Sequence, residues 1–197
     1  MTTTRAVLFD LGGVLLPFDQ ERRVRAIAER TGAEPGAVRA FMASDIHHRL
    51  DRGEADQHGL AAAFSGLAGR DVAPSEAREL ILSVFEAPNA RLWALAKGLR
   101  DRFIVGGFSD NPAFVQGVFP AGARLDPMFW SSELQLTKRS PEAYAVVQAQ
   151  LGLTPETILF IDDTLANVEQ ARRMGWEAIG FVSNDKLFAE LAAREIL

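Results

Sequence analysis

The sequence predicts an α/β fold, in which a doubly wound parallel sheet carries a helical module inserted after its first strand. Four short β-favouring runs are apolar throughout rather than alternating, as expected of strands that are buried on both faces. Helical patterns separate these runs between residues 90 and 182, which indicates parallel βαβ units. Residues 18 to 88, in contrast, contain helical patterns but no strong strand run.

The elements follow in order along the chain. Strands are predicted at residues 6–9, 103–105, 158–161 and 178–182, with a further strand at residues 129–131. Apolar residues at helical spacing predict helices at residues 92–99, 141–151 and 165–174. Pro141 suits the first turn of the second helix, while Gly152 and Gly175 end the second and third.

The inserted module is predicted to be helical because turn-forming residues divide it into short amphipathic segments. These helix ends are marked by Gly32, Pro35, Gly53, Gly66, Gly69 and Pro74. The simplest division therefore places one sheet domain at residues 1–17 and 89–197, and the helical module at residues 18–88.

Composition limits the function classes. The 197 residues have 48% hydrophobic and 24% charged content, and no stretch approaches the roughly 20 apolar residues of a membrane span. Cysteine is absent, which excludes disulfides, thiolate metal sites and a cysteine nucleophile, and predicts a cytoplasmic location. A net charge of -5 without a basic block argues against a nucleic-acid surface. The sequence leaves the oligomeric state open.

Polar residues follow the predicted strands where their carboxyl ends should meet. Asp10 follows the first strand, Ser109 the second, and Asp162 and Asp163 the strand at residues 158–161, while Lys138 precedes the Pro141 helix. Ligands of open α/β sheets bind at this edge. A nucleophile, a hydroxyl, carboxylates for a hard metal and a cation are the groups that phosphoryl transfer requires.

These residues lie in four motifs that resemble those of the haloacid dehalogenase superfamily. The first is Asp10-Leu11-Gly12-Gly13-Val14, where the family has Asp-x-Asp-Gly-Val/Thr, and Ser109 resembles the second motif. Lys138 in "KRSPEAY" resembles the third, and "ILFIDDTLANVEQARRMGW" the fourth. The resemblance covers most of the chain and implies a Rossmann-like core with an inserted α-helical cap. It is nearest to the sugar-phosphate phosphatase-like branch.

By this resemblance, the protein is a Mg²⁺-dependent phosphatase that acts on a small phosphorylated metabolite, a sugar phosphate being one option. Asp10 would attack phosphorus and form an aspartyl phosphate. Mg²⁺ would be held by Asp10, the Gly12 carbonyl and Asp163, with Asp162 binding directly or through water. Asn167 would orient these aspartates.

The same resemblance implies a phosphate-binding group. Ser109 would donate a hydrogen bond to a phosphoryl oxygen, and Lys138 would offset negative charge on both the carboxylate and the phosphate. Asp110 and Asn111, directly after Ser109, complete the predicted group. Arg52, in the segment that resembles the family's cap loop, is the first candidate for a specificity contact. The alternative for that segment is a joint between two helices with Asp56 as the N-cap.

Three positions depart from the family pattern. Gly12 removes the acid that protonates the leaving oxygen, a contribution typically worth about 10² to 10⁴ in rate. Asp19 and Asp110 are the substitutes the sequence offers. Arg139 replaces the usual Pro and Asp110 the frequent Asn, so a carboxylate would lie near the phosphate.

Each assignment has a structural alternative. Asp10 before Gly12 suits a turn, the Asp162-Asp163 pair suits a helix cap, and Lys138 alone suits a solvated surface. The histidines of the inserted module, His47, His48 and His58, are interpreted as part of an ordinary helical face rather than as metal ligands.

The missing acid also keeps two other functions open. One is a metal-independent 2-haloacid dehalogenase, which uses the first Asp as its nucleophile and needs no second acid. The other is a non-catalytic relative that binds a phosphate ligand or a protein. Retention of Asp162 and Asp163 favours the metal-dependent phosphatase.

Overall fold

The structure, a computed structural model, describes residues 3–83 and 85–197, with the side chain of His47 outside the description. Its centre is a five-stranded sheet in the order β3-β2-β1-β4-β5, and every pairing is parallel. The strands are β1 (Ala6–Phe9), β2 (Ile104–Ser109), β3 (Met128–Trp130), β4 (Ile158–Asp162) and β5 (Glu177–Gly180). The predicted doubly wound parallel sheet is confirmed.

Both faces of the sheet are covered by apolar side chains, which explains the continuous apolar runs. Val7 and Phe9 belong to a hydrophobic cluster on one face, and Ala6 and Leu8 to a second cluster on the other. The helices of the sheet domain are α6 (Ala90–Leu99), α7 (Ser131–Leu134), α8 (Pro141–Leu151), α9 (Leu165–Arg173) and α10 (Asn184–Ala193).

Several boundaries differ from the predictions. The further strand exists, but Ser131 already begins α7, and the last strand ends at Gly180 instead of residue 182. Helix α10 was not predicted from the sequence, although the Ser183 side chain accepts from the Lys186 N–H at its start and Leu187 and Leu191 are buried. This short terminal helix is held mainly by that packing, which periodicity over ten residues signals only weakly.

Five helices occupy residues 20–82 and share a hydrophobic cluster of their own, which includes Val24, Ile27, Leu60, Phe64 and Leu80. They are α1 (Gln20–Thr31), α2 (Pro35–Met42), α3 (Asp45–Asp51), α4 (Gln57–Ala68) and α5 (Pro74–Leu82). In the part of the chain that the structure describes, no helix is long and apolar enough to cross a membrane.

The glycines of this helical module predicted its helix ends well, with one exception. Gly32 and Gly69 have left-handed backbone conformations at the ends of α1 and α4, as expected of helix-terminating glycines. Gly66 lies inside α4, so the helix end predicted there is wrong. An interior glycine costs a helix only about 1 kcal/mol relative to alanine, and packing of the helix outweighs that cost.

The two chain segments that join the module to the sheet domain run side by side. The Leu15 carbonyl accepts from the Asn89 backbone N–H (2.9 Å) and from Trp93 Nε1 (3.2 Å), and the Glu86 N–H donates to the Pro17 carbonyl (3.1 Å). The module therefore leaves and rejoins the sheet domain at neighbouring points, beside the carboxyl end of β1.

Candidate active site

The predicted site residues converge where β2, β1 and β4 end side by side. Asp10 follows β1, while Ser109 and Asp162 are the last residues of β2 and β4. β2 and β3 lie on one side of β1, and β4 and β5 lie on the other, so the strand order reverses between β1 and β4. Open α/β folds bind ligands at such a point. A cavity of about 310 Å³ lies there, bordered by Asp10 and Lys138 and by residues of the helical module.

Lys138 joins two of the carboxylates. Its Nζ lies 2.8 Å from Asp10 Oδ1 and 2.7 Å from Asp162 Oδ2, and all three side chains are buried. Burial disfavours the ammonium, but the carboxylates of Asp10, Asp162 and Asp110 outweigh this effect and raise the pKa of Lys138. Lys138 is therefore a fixed internal cation, and its alternative interpretation as a solvated surface lysine is wrong.

Opposing electrostatic effects act on the pKa of Asp10. Burial raises the pKa of Asp10 to about 7, the Lys138 ammonium opposes that rise, and the nearby Asp162 carboxylate adds to it. The Asp10 N–H donates to the Ile161 carbonyl at 2.8 Å, which extends the pairing of β1 with β4. The backbone thus fixes the carboxylate at the sheet edge, where added positive charge would stabilise its ionised form.

A third carboxylate completes a group that can hold a cation. Asp10, Asp162 and Asp163 each place an oxygen within 4.8 Å of the others. Burial and the neighbouring Asp162 raise the pKa of Asp163, which is the most exposed of the three. Three close carboxylates with one lysine leave negative charge in excess, and oxygen donors of this kind suit a hard divalent ion such as Mg²⁺.

Asp162 is held by several donors at once. Asn167 Nδ2 lies 3.2 and 3.1 Å from its two oxygens, and the Thr164 N–H donates to Oδ1 at 2.7 Å. Together with Lys138, these contacts occupy a side chain that is fully buried. The capping alternative is therefore partly right, because Asp162 satisfies a backbone N–H at the start of α9, but it also fixes Lys138.

The two glycines after Asp10 have different surroundings. A Cβ added to Gly13 would lie 2.1 Å from Asp163 Oδ2, and Gly13 has a φ of +77°. A Cβ on Gly12 would meet no atom within 4 Å, and Gly12 lines the cavity. Gly13 therefore leaves the space that Asp163 occupies, while open space remains where the family's usual acid would project.

Ser109 is less accessible than the sequence suggested. It is fully buried and does not border the cavity, whereas its neighbours Asp110 and Asn111 do. Asn111 Nδ2 donates to Ser109 Oγ at 3.0 Å, which leaves the Ser109 hydroxyl hydrogen free to point elsewhere. The Asp110 side chain accepts from the Lys138 N–H at 2.8 Å and so anchors the loop that carries the lysine.

Comparison with known proteins identifies the family. The profile of the haloacid dehalogenase-like hydrolases matches residues 4–175. The chain belongs to this family. A curated relative, the D-ribitol-5-phosphate phosphatase of Bacteroides thetaiotaomicron, is 22% identical over 182 residues, which cover 87% of this chain and 88% of the relative.

Solved structures agree with this assignment in fold. A HAD family enzyme from Bacteroides thetaiotaomicron in complex with magnesium and inorganic phosphate superposes with a TM-score of 0.82 at 20% identity, covering 94% of this chain and 99% of that one. A predicted HAD-like family hydrolase from Porphyromonas gingivalis gives 0.85 at 21% identity, covering 97% of both chains. The L-2-haloacid dehalogenase of Xanthobacter autotrophicus gives 0.63 at 20%, covering 98% and 84%.

In this haloacid dehalogenase-like hydrolase, Arg52 does not reach the cavity. It forms a two-pronged ion pair with Glu54, with distances of 2.7 and 2.8 Å. The preceding residue, Asp51, borders the cavity instead. The alternative prediction for this segment is confirmed in part, because the Asp56 side chain caps α4 by accepting from the N–H groups of His58 and Gly59.

Two charged residues of the site were not predicted from the sequence. Arg23 and Asp51 both border the cavity from the helical module. Burial lowers the pKa of Arg23 to about 10, while burial, reinforced by the Asp110 carboxylate, raises the pKa of Asp51 to about 7. Arg23 carried no signal, because "ERRVR" is an ordinary polar helix face. Asp51 lies in the segment that resembles the cap loop, where Arg52 is the predicted contact.

Of two further residues named in the sequence analysis, one borders the cavity and the other does not. Arg139 borders the cavity, whereas Asp19 caps α1 on the exposed surface by accepting from the N–H groups of Glu21 and Arg22.

Among residues 3–83 and 85–197, the one metal-compatible group of three contains no histidine. The interpretation of His48 and His58 as part of an ordinary helical face stays a prediction, and the side chain of His47 lies outside the described part.

Proposed function

We propose that the protein is a Mg²⁺-dependent phosphatase that hydrolyses a small phosphorylated metabolite through an aspartyl phosphate on Asp10. The observation that carries the proposal is the contact of Asp10 with Lys138, beside Asp163 and at the edge of a cavity of about 310 Å³. This volume suits a small metabolite, since ligand sites span about 300–1,000 Å³. The phosphatase relative and the structure with magnesium and phosphate support the same reaction.

The first step transfers the phosphoryl group to Asp10. One oxygen of the carboxylate forms a bond to phosphorus while the bond from phosphorus to the ester oxygen breaks. Lys138 holds the carboxylate in position through Oδ1 and places a positive charge next to the incoming phosphoryl oxygens. In the second step a water oxygen attacks phosphorus, which releases phosphate and restores the Asp10 carboxylate.

The carboxylates of Asp10 and Asp163, with the carbonyl of Gly12, are the residues that would hold Mg²⁺. When bound, the ion neutralises charge on the phosphoryl oxygens. The excess of close carboxylates and the space that Gly13 leaves for Asp163 fit such a group. Asp162 is occupied by Lys138 and Asn167, so its role is to position these side chains, and Asn167 in turn positions Asp162.

The phosphate would be bound at the end of β2. Although Ser109 itself does not border the cavity, Asn111 orients its oxygen and leaves its hydroxyl hydrogen free to donate to a phosphoryl oxygen bound beside Asn111. Asp110 anchors the backbone of Lys138, and its charge is offset by Lys138 and Arg139. The predicted repulsion between Asp110 and the phosphate is thereby reduced.

The leaving oxygen needs a proton that Gly12 cannot give. Of the two substitutes predicted from the sequence, Asp19 is engaged as an exposed helix cap and Asp110 borders the cavity. Burial raises the pKa of Asp110, which favours the protonated carboxyl. Asp110 is therefore the better of these two candidates for the acid.

A metal-independent 2-haloacid dehalogenase is the second candidate, and the fold similarity to the Xanthobacter enzyme together with Gly12 favours it. Asp163, adjacent to Asp10 and facing Gly13, argues for the metal-dependent reaction. Halide release from a 2-haloacid in the presence of a chelator would reverse the choice. Ligand binding without turnover over a broad panel of phosphate esters would support the non-catalytic relative.

The division into a sheet domain at residues 1–17 and 89–197 and a cap domain at residues 18–88 is part of this proposal. The separate hydrophobic cluster of the helices and the adjacent connecting segments support it. A cytoplasmic location remains a prediction from the absence of cysteine.

The test is phosphate release from a panel of phosphorylated metabolites, with and without Mg²⁺. Wild type should turn over at least one ester only when Mg²⁺ is present, and Asp10→Asn should abolish release. Asp101→Asn, which changes an exposed carboxylate of the sheet domain, is the matched control. Activity that persists in Asp10→Asn or in the presence of a chelator would refute the mechanism.

A further inference from the structure

Two charged side chains enter the cavity from the helical module, and the catalytic proposal uses neither of them. Arg23 lies on α1 and Asp51 is the last residue of α3. Both border the cavity that also contains Asp10 and Lys138. They therefore face the part of a substrate that extends away from the phosphoryl group.

The Arg23 side chain is half-buried, but its Nε is fully buried and has no hydrogen-bond partner within the part of the chain that the structure describes. Its guanidinium lies over the ring of Phe18, 5.5 Å from the ring centroid, which supports the group from one side. Asp51 attracts Arg23 electrostatically, yet no direct ion pair or hydrogen bond joins the two described side chains. A buried donor of this kind is costly unless a ligand satisfies it.

Asp51 is held in place by contacts with the sheet domain. Ser131 Oγ donates to the Asp51 carbonyl at 2.6 Å. Two residues later, a Cβ on Gly53 would lie 2.0 Å from the Ser132 carbonyl oxygen, so this loop lies directly against the start of α7. Arg52 is turned away toward Glu54. The loop therefore fixes the backbone of Asp51, so that its side chain forms part of the cavity wall.

The charges around this pair select the chemistry of the group that fits between them. An anion beside Arg23 would also face the carboxylates of Asp51 and Asp110, and a cation beside Asp51 would face Arg23 and Arg139. A neutral hydroxyl satisfies both partners, because its oxygen accepts from the guanidinium while its hydrogen is donated to the carboxylate. Apolar side chains in the same wall, Phe85 and Ile81, suit the C–H groups of a carbon chain.

We propose that Arg23 and Asp51 form a subsite that binds a hydroxyl group of the substrate's carbon chain and so selects phosphorylated polyols or sugars. This inference rests on the proposed phosphatase function. Substrate specificity is thereby assigned to Arg23 on α1 and Asp51 on α3 instead of to Arg52.

The test compares two esters of equal chain length that both release a primary alcohol, a pentitol 5-phosphate and n-pentyl phosphate. Wild type should prefer the pentitol ester in kcat/KM, because only that ester has hydroxyl groups that pair with Arg23 and Asp51. Arg23→Met and Asp51→Asn should each reduce this preference by about 10- to 100-fold, the effect of losing a hydrogen bond to a charged group. Arg25→Met and Asp45→Asn, exposed residues of the same two helices, are matched controls that should keep the preference.

Thermal unfolding of each variant shows whether it remains folded. Because two variants are tested, the subsite can still be judged if one of them fails to fold. An unchanged preference in both folded variants would overturn the subsite. If wild type hydrolyses neither these two esters nor any ester of the wider panel with Mg²⁺, the phosphatase proposal fails instead. Equilibrium binding of the same two esters by calorimetry then still decides the subsite, since equal affinities for both esters would contradict it.

Discussion

The ammonium of Lys138 lies 2.8 Å from Oδ1 of Asp10, and both side chains are almost completely buried. Lys138→Met should therefore leave the Asp10 and Asp162 carboxylates buried without their counter-charge. Removing one partner of a buried pair is strongly destabilising, and we expect a loss of about 3 kcal/mol in the free energy of unfolding at pH 8. Urea unfolding measures it, with the exposed Lys97→Met as control. Equal stability of the two variants would contradict the role of Lys138.

Gly13 and Gly12 offer a matched pair of alanine substitutions. Gly13→Ala places a Cβ 2.1 Å from Asp163 Oδ2 at a φ of +77°, so Asp163 must move, whereas Gly12→Ala enters open space. We expect the Mg²⁺ concentration for half-maximal activity to rise at least about 10-fold in Gly13→Ala, the scale of disturbed metal ligands. Gly12→Ala should stay close to wild type. The same Mg²⁺ dependence in both variants would exclude Asp163 as a ligand.

Gly12→Asp restores the acid that the family pattern has at this position, and the structure has room for it. For an alkyl phosphate, whose leaving oxygen needs a proton, kcat should rise by about 10- to 100-fold. For p-nitrophenyl phosphate, which has a good leaving group, the gain should be smaller. Gly12→Asn controls for size without supplying a proton. If Asn and Asp give the same rates, another group already serves as the acid.

The raised pKa of Asp51 predicts that the stability difference between wild type and Asp51→Asn depends on pH. Folding raises the pKa of Asp51 from 3.8 to about 7, because burial and Asp110 outweigh the attraction of Arg23, Arg52 and Arg139. The native state therefore holds a proton that the unfolded chain has lost between these pH values, and the free energy of unfolding falls as the pH rises through this window.

Asp51→Asn removes this penalty, so the variant should be more stable than wild type by about 2 kcal/mol at pH 8, after allowance for solvent in the cavity. The difference should shrink toward pH 5. Denaturant unfolding of both proteins at several pH values measures it. A stability difference that does not change with pH would show that Asp51 ionises normally in the folded protein.

The sheet and the strand-end residues could be predicted because their signals are local. Residues 6–9 and 158–161 are apolar without alternation, which only strands buried on both faces require, and parallel pairing then brings Asp10 and Asp162 to one edge. The resemblance implied that Lys138 lies near the Asp10 carboxylate, whereas its contact with Asp162 was not predicted. Its burial could not be predicted, because the identity of a lysine says nothing about the packing of its loop.

The contribution of the helical module depended on tertiary contacts and was largely missed. Asp51 reaches the cavity because its loop is docked on Ser131 and Ser132, and the position of Arg23 depends on how α1 packs beside Phe18. Neither contact has a sequence pattern. The resemblance to the cap loop pointed to Arg52, but a glutamate two residues later pairs with it locally.

Detection of the covalent intermediate tests the central claim most directly. A phosphate ester that wild type turns over is mixed with the protein and Mg²⁺, the reaction is stopped in acid within one turnover, and peptides are examined by mass spectrometry. The account predicts that the peptide containing Asp10 gains the mass of one HPO₃ group, and that this adduct is absent in Asp10→Asn and without Mg²⁺. Phosphate release by wild type with no adduct on Asp10, or with the adduct on another residue, would contradict it.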